Sequence, residues 1–160
     1  MFAAWQNTNG ASIQCLCNTF KDTIDINKQD NYGNTAFTFV VRFKTNIEVI
    51  QYLCNTFKDT IDIDIQDTYN GNTTLMLAAQ YHTNEKVVQY LYDTFKGKVD
   101  INIKNNKGQT ALTLAAQYNT NVEVIQYLRD AFKDRIDINI KNNDGHTLLM
   151  LAIRYNRNDK

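Results

Sequence analysis

The amino-acid sequence predicts an all-α solenoid, in which helix-turn-helix repeats are joined by extended, β-hairpin-like arms. Three observations predict this class: a pattern that recurs about every 37 residues, helical spacing of apolar residues within each copy, and a two-residue alternation where each copy ends. A fixed period of this length is typical of proteins whose repeats stack on their neighbours, because one such repeat cannot bury its apolar face alone.

The repeat period can be read directly from the sequence. The segment Asn-Thr-Phe-Lys-Asp-Thr-Ile-Asp-Ile at residues 18–26 returns at residues 55–63. One glycine in each copy follows the same interval, at Gly33, Gly71, Gly108 and Gly145. We therefore expect a single domain over residues 1–160, with full repeats at about 33–70, 71–107 and 108–144 and partial repeats at 1–32 and 145–160.

The elements of one repeat follow in a constant order. In the copy that starts at Gly108, apolar residues spaced three and four apart predict a helix over 111–118 and a second, antiparallel helix over 122–132. Isoleucines then alternate with polar residues over 136–140, which predicts an extended segment. A threonine precedes each first helix and is expected to cap it, since its hydroxyl can accept an unpaired backbone N–H. These threonines are Thr35, Thr73, Thr110 and Thr147.

These residues resemble the ankyrin repeat across essentially the whole chain. The resemblance is carried by Asp100-Ile101-Asn102, by Gly108-Gln109-Thr110-Ala111-Leu112-Thr113-Leu114-Ala115-Ala116, and by Val124, Ile125 and Leu128. The family usually has Thr-Pro-Leu-His where residues 110–113 are Thr-Ala-Leu-Thr, so the proline that starts the helix and the histidine that ties neighbouring turns are missing. The period exceeds the family's 33 or so residues, which implies a longer second helix. Asn-Thr-Asn at residues 119–121 replaces the family's glycine between the helices, and asparagine is the non-glycine residue that best tolerates the left-handed conformation expected there.

Charge and composition exclude several classes of function. Seventeen Lys and Arg balance seventeen Asp and Glu, so no net field draws the protein to nucleic acid or to an anionic membrane. We expect neither as a partner. The start of the chain lacks the features of a secretory signal, and the odd number of cysteines cannot all pair internally. Both features favour the reducing cytoplasm as the location.

No catalytic, metal or cofactor site is predicted. His82 and His146 lie in different copies without helix-spaced partners, and both are expected to be solvated. Cys15 and Cys17 point to different faces of one helix, and Cys54 is expected to lie too far from Cys17 for a disulfide. The glycines stand singly, unlike those of a phosphate-binding loop. We therefore predict that the protein is not an enzyme.

The resemblance implies a partner protein, bound on the concave surface formed by the arm tips and the exposed side of the first helices. Residues at these positions differ between copies, whereas the apolar residues repeat. The candidate partner-binding residues are Tyr32, Asn34, Arg42, Tyr69, Asn72, Gln80, Lys107, Gln109, Gln117, Asp144 and His146. Trp5 holds the same first-helix position near the start of the chain. Tyrosine, arginine and tryptophan are the residue types that dominate binding energy at interfaces.

The predicted function is thus a non-catalytic protein–protein interaction module, or scaffold, whose partner the sequence does not identify. Two alternatives stay open. Met1 aligns with Met76, inside a first helix, so the chain is expected to be a piece of a longer array that targets or regulates a larger enzyme or effector. Alternatively, uncapped terminal repeats join end to end in a self-assembling array, since Leu148, Met150 and Ile153 make the last helix strongly apolar.

Overall fold

A computed structural model describes residues 10–43 and 46–155 of the protein. These residues form stacked pairs of helices. Within these residues there are eight α-helices, and none of the residues is in a β-strand. The helices are α1 (Ala11–Phe20), α2 (Ala36–Arg42), α3 (Ile47–Phe57), α4 (Thr74–Tyr81), α5 (Glu85–Thr94), α6 (Ala111–Tyr118), α7 (Val122–Phe132) and α8 (Leu148–Tyr155). The all-α solenoid predicted from the period is confirmed. Residues 1–9, which hold Trp5 and the predicted partial helix, lie outside the described residues.

Short first helices alternate with longer second helices along the chain. The first helices α2, α4, α6 and α8 have 7 or 8 residues, and the second helices α1, α3, α5 and α7 have 10 or 11. First helices stack on one another in the order α2, α4, α6, α8, and α5 packs between α3 and α7. Each repeat therefore contacts mainly its neighbours, which is how a solenoid builds its core.

The threonine caps form as predicted. The Thr110 hydroxyl oxygen accepts the N–H of Thr113 at 3.4 Å, and the Thr113 hydroxyl oxygen accepts the N–H of Thr110 at 2.7 Å. Thr35 caps α2 in the same way, and the Thr73 and Thr147 hydroxyl oxygens each accept the N–H of the methionine three residues on. This reciprocal pair satisfies backbone donors that a helix start otherwise leaves unpaired. Thr113 takes the place in the motif where the family usually has histidine.

The break between the two helices of a repeat differs from the expectation. Asn119 adopts φ −88° and ψ 129°, and His82 adopts φ −91° and ψ 116°, so both are extended and neither is left-handed. Asn121 is not left-handed either, with φ −95° and ψ 110°, so the expectation of a left-handed asparagine in this break was wrong. Two residues after His82 and Asn119, respectively, come Asn84 and Asn121, which cap the second helices. The Asn84 side chain accepts the N–H of Lys86, and the Asn121 side chain accepts the N–H of Glu123.

The arms combine two turns. In the last arm the N–H of Ile140 donates to the Asp137 carbonyl at 3.2 Å, so a turn interrupts the alternating isoleucine segment. At the tip of the preceding arm the N–H of Asn105 donates to the Gln109 carbonyl at 2.9 Å, and the N–H of Gly108 donates to the Asn105 carbonyl at 2.8 Å. These two bonds close a hairpin-like turn above the first helix. The tip is therefore held closed by its own backbone hydrogen bonds.

None of the helices within residues 10–43 and 46–155 combines the length and apolar character that crossing a membrane requires.

Candidate partner-binding surface

Neighbouring arm tips are joined in a row by backbone hydrogen bonds. The N–H of Asn106 donates to the Asn70 carbonyl at 2.8 Å, and the N–H of Asn143 donates to the Lys107 carbonyl at 3.0 Å. Glycine is required where the tips touch: Gly108 has φ 72°, and a Cβ on it would lie 2.9 Å from the backbone nitrogen of Asn143. The row of tips is therefore a continuous, hydrogen-bonded rim.

Three of the predicted binding residues lie buried beneath this rim. Asn34, Asn72 and Gln109 are all buried. The Asn72 side-chain oxygen accepts the side-chain N–H of Asn105 at 2.9 Å, and the Gln109 side chain donates to the Gln117 side-chain oxygen. These buried amides support the arms, so the difference in residue type between copies at this position does not indicate an exposed contact residue.

Arg42 ties the first helix α2 to the next tip. Its Nη2 lies 2.7 Å from Oδ2 of Asp67, whose side chain is 0% exposed, whereas the Arg42 side chain is 23% exposed. The other Asp67 oxygen accepts the N–H groups of Asn70 and Gly71 at 2.6 and 3.1 Å. The Asp67 carboxylate is therefore bound on both oxygens, and Arg42 reaches it through Nη2 while the Arg42 Nε is buried without a hydrogen-bond partner in the described structure.

Two tyrosines project from adjacent tips. Tyr32 is 68% exposed and Tyr69 is 78% exposed. The backbone carbonyl of Tyr32 accepts the N–H of Thr68 at 2.9 Å, which fixes one tip against the next. Large aromatic side chains held on a fixed backbone are well suited to bury area against a partner.

A cleft of 390 Å³ opens between the last two tips and the helices α6 and α8. It brings together five of the predicted residues, which are Lys107, Gln109, Gln117, Asp144 and His146. Gln80 lies on α4, half-buried and outside this cleft. The cleft is thus the part of the structure that brings the largest group of predicted binding residues together.

Sequence reasoning missed two aromatic residues in this cleft. Tyr118 and Tyr155 line it, with ring centroids 6.1 Å apart. The signal was present, because a tyrosine recurs at this position in Tyr81, Tyr118 and Tyr155. The side-chain amide of Gln117 donates to the Tyr118 hydroxyl oxygen at 2.9 Å. Burial, together with Tyr155 nearby, raises the pKa of Tyr118, so its phenol stays neutral and can donate a hydrogen bond.

The two histidines differ in placement. His146 is half-buried in the cleft, whereas His82 is buried and its Nε2 lies 2.6 Å from the Val41 carbonyl. The expectation that His82 is solvated was wrong, because the break between helices packs against the preceding repeat. Asn119, the equivalent residue one repeat later, donates from its side chain to the Ala79 and His82 carbonyls, both at 2.8 Å. These bonds link neighbouring repeats at the break between the two helices.

The cysteines are free thiols. Cys15 is exposed, and Cys17 and Cys54 are buried. Burial raises the pKa of the Cys54 thiol to about 12, so it stays protonated and unreactive near neutral pH. No group of three or more His, Cys, Asp or Glu side chains in the described part of the chain is placed to hold a metal ion.

Stacked helix-turn-helix repeats, with a rim of joined tips beside a row of first helices, define a class of repeat proteins that present an extended surface. A family model described as ankyrin repeats (3 copies) matches residues 1–105 and 93–160. The chain belongs to the ankyrin repeat family. Ankyrin repeats generally mediate protein–protein interaction, and the family is typically non-catalytic. No curated protein matches the chain.

Proposed function

We propose that this protein is a non-catalytic interaction module that binds a partner protein on the rim of arm tips and the adjoining first helices. The observation that supports the proposal is the cleft that gathers five residues from variable positions at the C-terminal end of this surface. The exposed tyrosines Tyr32 and Tyr69 extend the same surface toward the N-terminal end.

The binding mechanism is preorganisation. Backbone hydrogen bonds join the tips, and buried amides such as Asn72 and Asn105 hold the arms from below. Because the surface is ordered before the partner arrives, little conformational entropy is lost on binding. In this proposal Tyr32, Tyr69 and Lys107 contact the partner directly, while the buried amides act by positioning the tips.

The free thiols support a reducing, cytoplasmic location. Cys17 and Cys54 are both buried without a disulfide. Disulfides are rare in that compartment, whereas free cysteines are common there.

Affinity capture from a lysate of the source cells tests the proposed surface. The parent chain is compared with Tyr32→Ala/Tyr69→Ala, and with Val122→Ala/Ile138→Ala as a control that truncates exposed apolar residues away from the rim. Arg42 is left intact, since its loss would unpair a buried carboxylate. Circular dichroism verifies that all three fold alike.

We expect a protein that is retained by the parent and by the control and is lost with the tyrosine variant. Retention by all three proteins, or by none, would refute the assignment of the binding surface.

A second candidate function is self-association through the terminal helices. It is favoured by exposed apolar side chains on α1 and α8. Leu149, Met150 and Ile153 on α8 are exposed. At the other end, Leu16 and Phe20 line a cleft of 580 Å³ whose walls are mainly apolar. Sedimentation equilibrium distinguishes this candidate: a molar mass that rises with concentration supports it, and a strict monomer at high concentration excludes it.

A further inference from the structure

One tip of the rim is longer than the others by a single residue. Three tips run over four residues to their glycine, at 30–33, 105–108 and 142–145, whereas the tip at 67–71 has five. Described tips lie on both sides of this longer tip and are hydrogen-bonded to it. Its exposure therefore does not depend on where the chain begins or ends.

The hydrogen bonds of the rim identify the extra residue as Tyr69. In the following tip, Asn106 donates to the preceding tip, and the carbonyl of the very next residue, Lys107, accepts from the tip after it. In the longer tip Thr68 donates to the preceding tip at 2.9 Å, and the carbonyl of Asn70 accepts the N–H of Asn106 at 2.8 Å. Tyr69 stands between these two residues and takes neither role.

The longer tip also closes without Tyr69. Oδ1 of Asp67 accepts the N–H of Asn70 at 2.6 Å, and the Asp67 carbonyl accepts the N–H of Gly71 at 2.9 Å. Tyr69 adds one bond, in which its carbonyl accepts the side-chain N–H of Asn106 at 3.4 Å. The bonds that close the tip and join it to its neighbours are thus made mainly by the flanking residues.

The Tyr69 side chain projects from the tip into solvent. It is 78% exposed, more than any other large apolar or aromatic side chain within residues 10–43 and 46–155. It lines neither the cleft of 390 Å³ nor the cleft of 580 Å³. Packing within the described part of the chain therefore does not account for a tyrosine at this position.

An aromatic residue on a projecting turn needs a pocket on the other molecule. Residues that dominate binding energy lie in well-packed pockets from which water is excluded. A linear peptide binds by entering a groove or by adding to a sheet edge, and it has no preformed pocket to offer. A folded domain can supply one, and a buried phenol O–H requires a hydrogen-bond partner inside it.

We propose that Tyr69 is an inserted anchor that enters an apolar pocket on a folded partner protein, where its phenol O–H meets a hydrogen-bond acceptor. The proposal rests on the proposed function for the existence of a partner, and it adds the residue that determines specificity and the kind of partner selected. Tyr32, on the adjoining tip, belongs to the regular register of the rim and is the matched comparison.

Deleting Tyr69 tests the register. The deletion joins Thr68 to Asn70 and gives a tip of the four-residue length found in the other copies. We expect Tm to stay within about 2 °C of the parent value, because no bond that closes the tip is removed. A larger fall in Tm would show that the insertion supports the fold and would overturn the proposal.

Photo-cross-linking in a lysate of the source cells tests the kind of partner. Tyr69→p-benzoylphenylalanine places a light-activated group on the tip, and Val122→p-benzoylphenylalanine places it at an exposed control site on α7. Each full chain is irradiated in native lysate and in the same lysate after digestion with trypsin, which is then inhibited. We expect one protein to be labelled by the Tyr69 variant alone and in native lysate alone.

The affinity for the labelled protein, once purified, is measured by isothermal titration calorimetry. Tyr69→Ala and the deletion of Tyr69 should each weaken binding at least about 30-fold, as loss of an anchor does. Tyr69→Phe, which removes only the O–H, should weaken binding about fivefold to tenfold. Tyr32→Ala should weaken it less than Tyr69→Ala.

Five results would overturn the proposal: labelling that persists in the digested lysate, the same labelling by the Val122 variant, no labelling, an affinity unchanged by Tyr69→Ala or Tyr69→Phe, or an equal loss in Tyr32→Ala. Failure of the proposed function gives a different pattern. In that case the capture experiment gives the same result for the parent and for Tyr32→Ala/Tyr69→Ala. If this inference alone fails, capture is lost with the double variant but kept by the deletion of Tyr69.

Discussion

Replacing Asp64 by asparagine should stabilise the protein, because Asp64 stands where the other copies have asparagine. Asn27 donates from its side chain to the Thr60 carbonyl at 2.6 Å, and Asn102 donates to the Arg135 carbonyl at 2.9 Å. Both bonds cross from one arm to the next. An ionised carboxylate cannot donate, so Asp64 cannot make the equivalent bond.

The environment of Asp64 is unfavourable to its charge. One carboxylate oxygen accepts the N–H of Asp100 at 2.9 Å, while Oδ1 is buried without a hydrogen-bond partner in the described structure. Burial raises the pKa of Asp64, and the negative charges of Asp100 and Asp62 raise it further. An asparagine would place a donor opposite the carbonyl of Lys98, which is in register with the acceptors in the other copies.

The expected gain is about 1 kcal/mol near neutral pH, the worth of one recovered hydrogen bond. In a protein of this size it raises Tm by about 2–4 °C. A group whose pKa is raised on folding loses its stabilising contribution as the pH rises through that pKa. Below the ordinary value of 3.8, Asp64 is protonated in both states and can donate as asparagine does. The advantage of Asp64→Asn should therefore vanish at low pH and grow as the pH rises.

Thermal and urea denaturation, followed by circular dichroism at about pH 3 and about pH 7, measure this difference. Asp59→Asn is the matched control, since it removes the same charge from an exposed side chain nearby. The reasoning fails if Asp64→Asn gives no gain at neutral pH, if the gain is the same at both pH values, or if Asp59→Asn gives an equal gain.

Three further changes test other contacts. Arg42→Gln should destabilise the fold by about 2 kcal/mol, because it leaves the buried Asp67 carboxylate unpaired, and adding Asp67→Asn should recover most of the loss. A double-mutant cycle followed by urea denaturation measures this coupling, and additive effects would contradict the buried ion pair. Phe95→Ala should cost about 3–5 kcal/mol and Phe20→Ala under about 1.5 kcal/mol, since these equivalent side chains are 1% and 52% exposed. Equal costs by the same assay would contradict the difference in their burial. Ala36→Pro should raise Tm by about 2–4 °C, because Ala36 is the first residue of α2 and Thr35 before it already has the extended conformation that a following proline requires, with φ −88° and ψ 167°. A lower Tm would show that the proline ring does not fit.

Much of the fold could be predicted because its signals are local. Apolar spacing within one copy predicted each helix pair, and the threonine before each first helix predicted its cap. The conformation of Asn119 could not be predicted in this way, because its side chain bonds to carbonyls of the preceding repeat, Ala79 and His82.

The binding surface was predictable only in part. Variation between copies marked Tyr32, Lys107 and Asp144, which are exposed, and equally marked Asn34 and Asn72, which are buried. A buried polar residue that supports an arm differs between copies just as an exposed residue does, so variation in sequence does not separate the two. Burial alone separates the two groups.

The sequence by itself determined the repeat register, the pairing of helices and the positions that change from copy to copy, because periodicity within a chain reflects which residues must face the shared core. Tertiary structure alone decided how adjacent repeats are linked. His82 bonds to the Val41 carbonyl and Asn106 to the Asn70 carbonyl. Both acceptors are backbone carbonyls, which every residue carries, so the residue types at positions 41 and 70 could not reveal these links until the repeats were stacked.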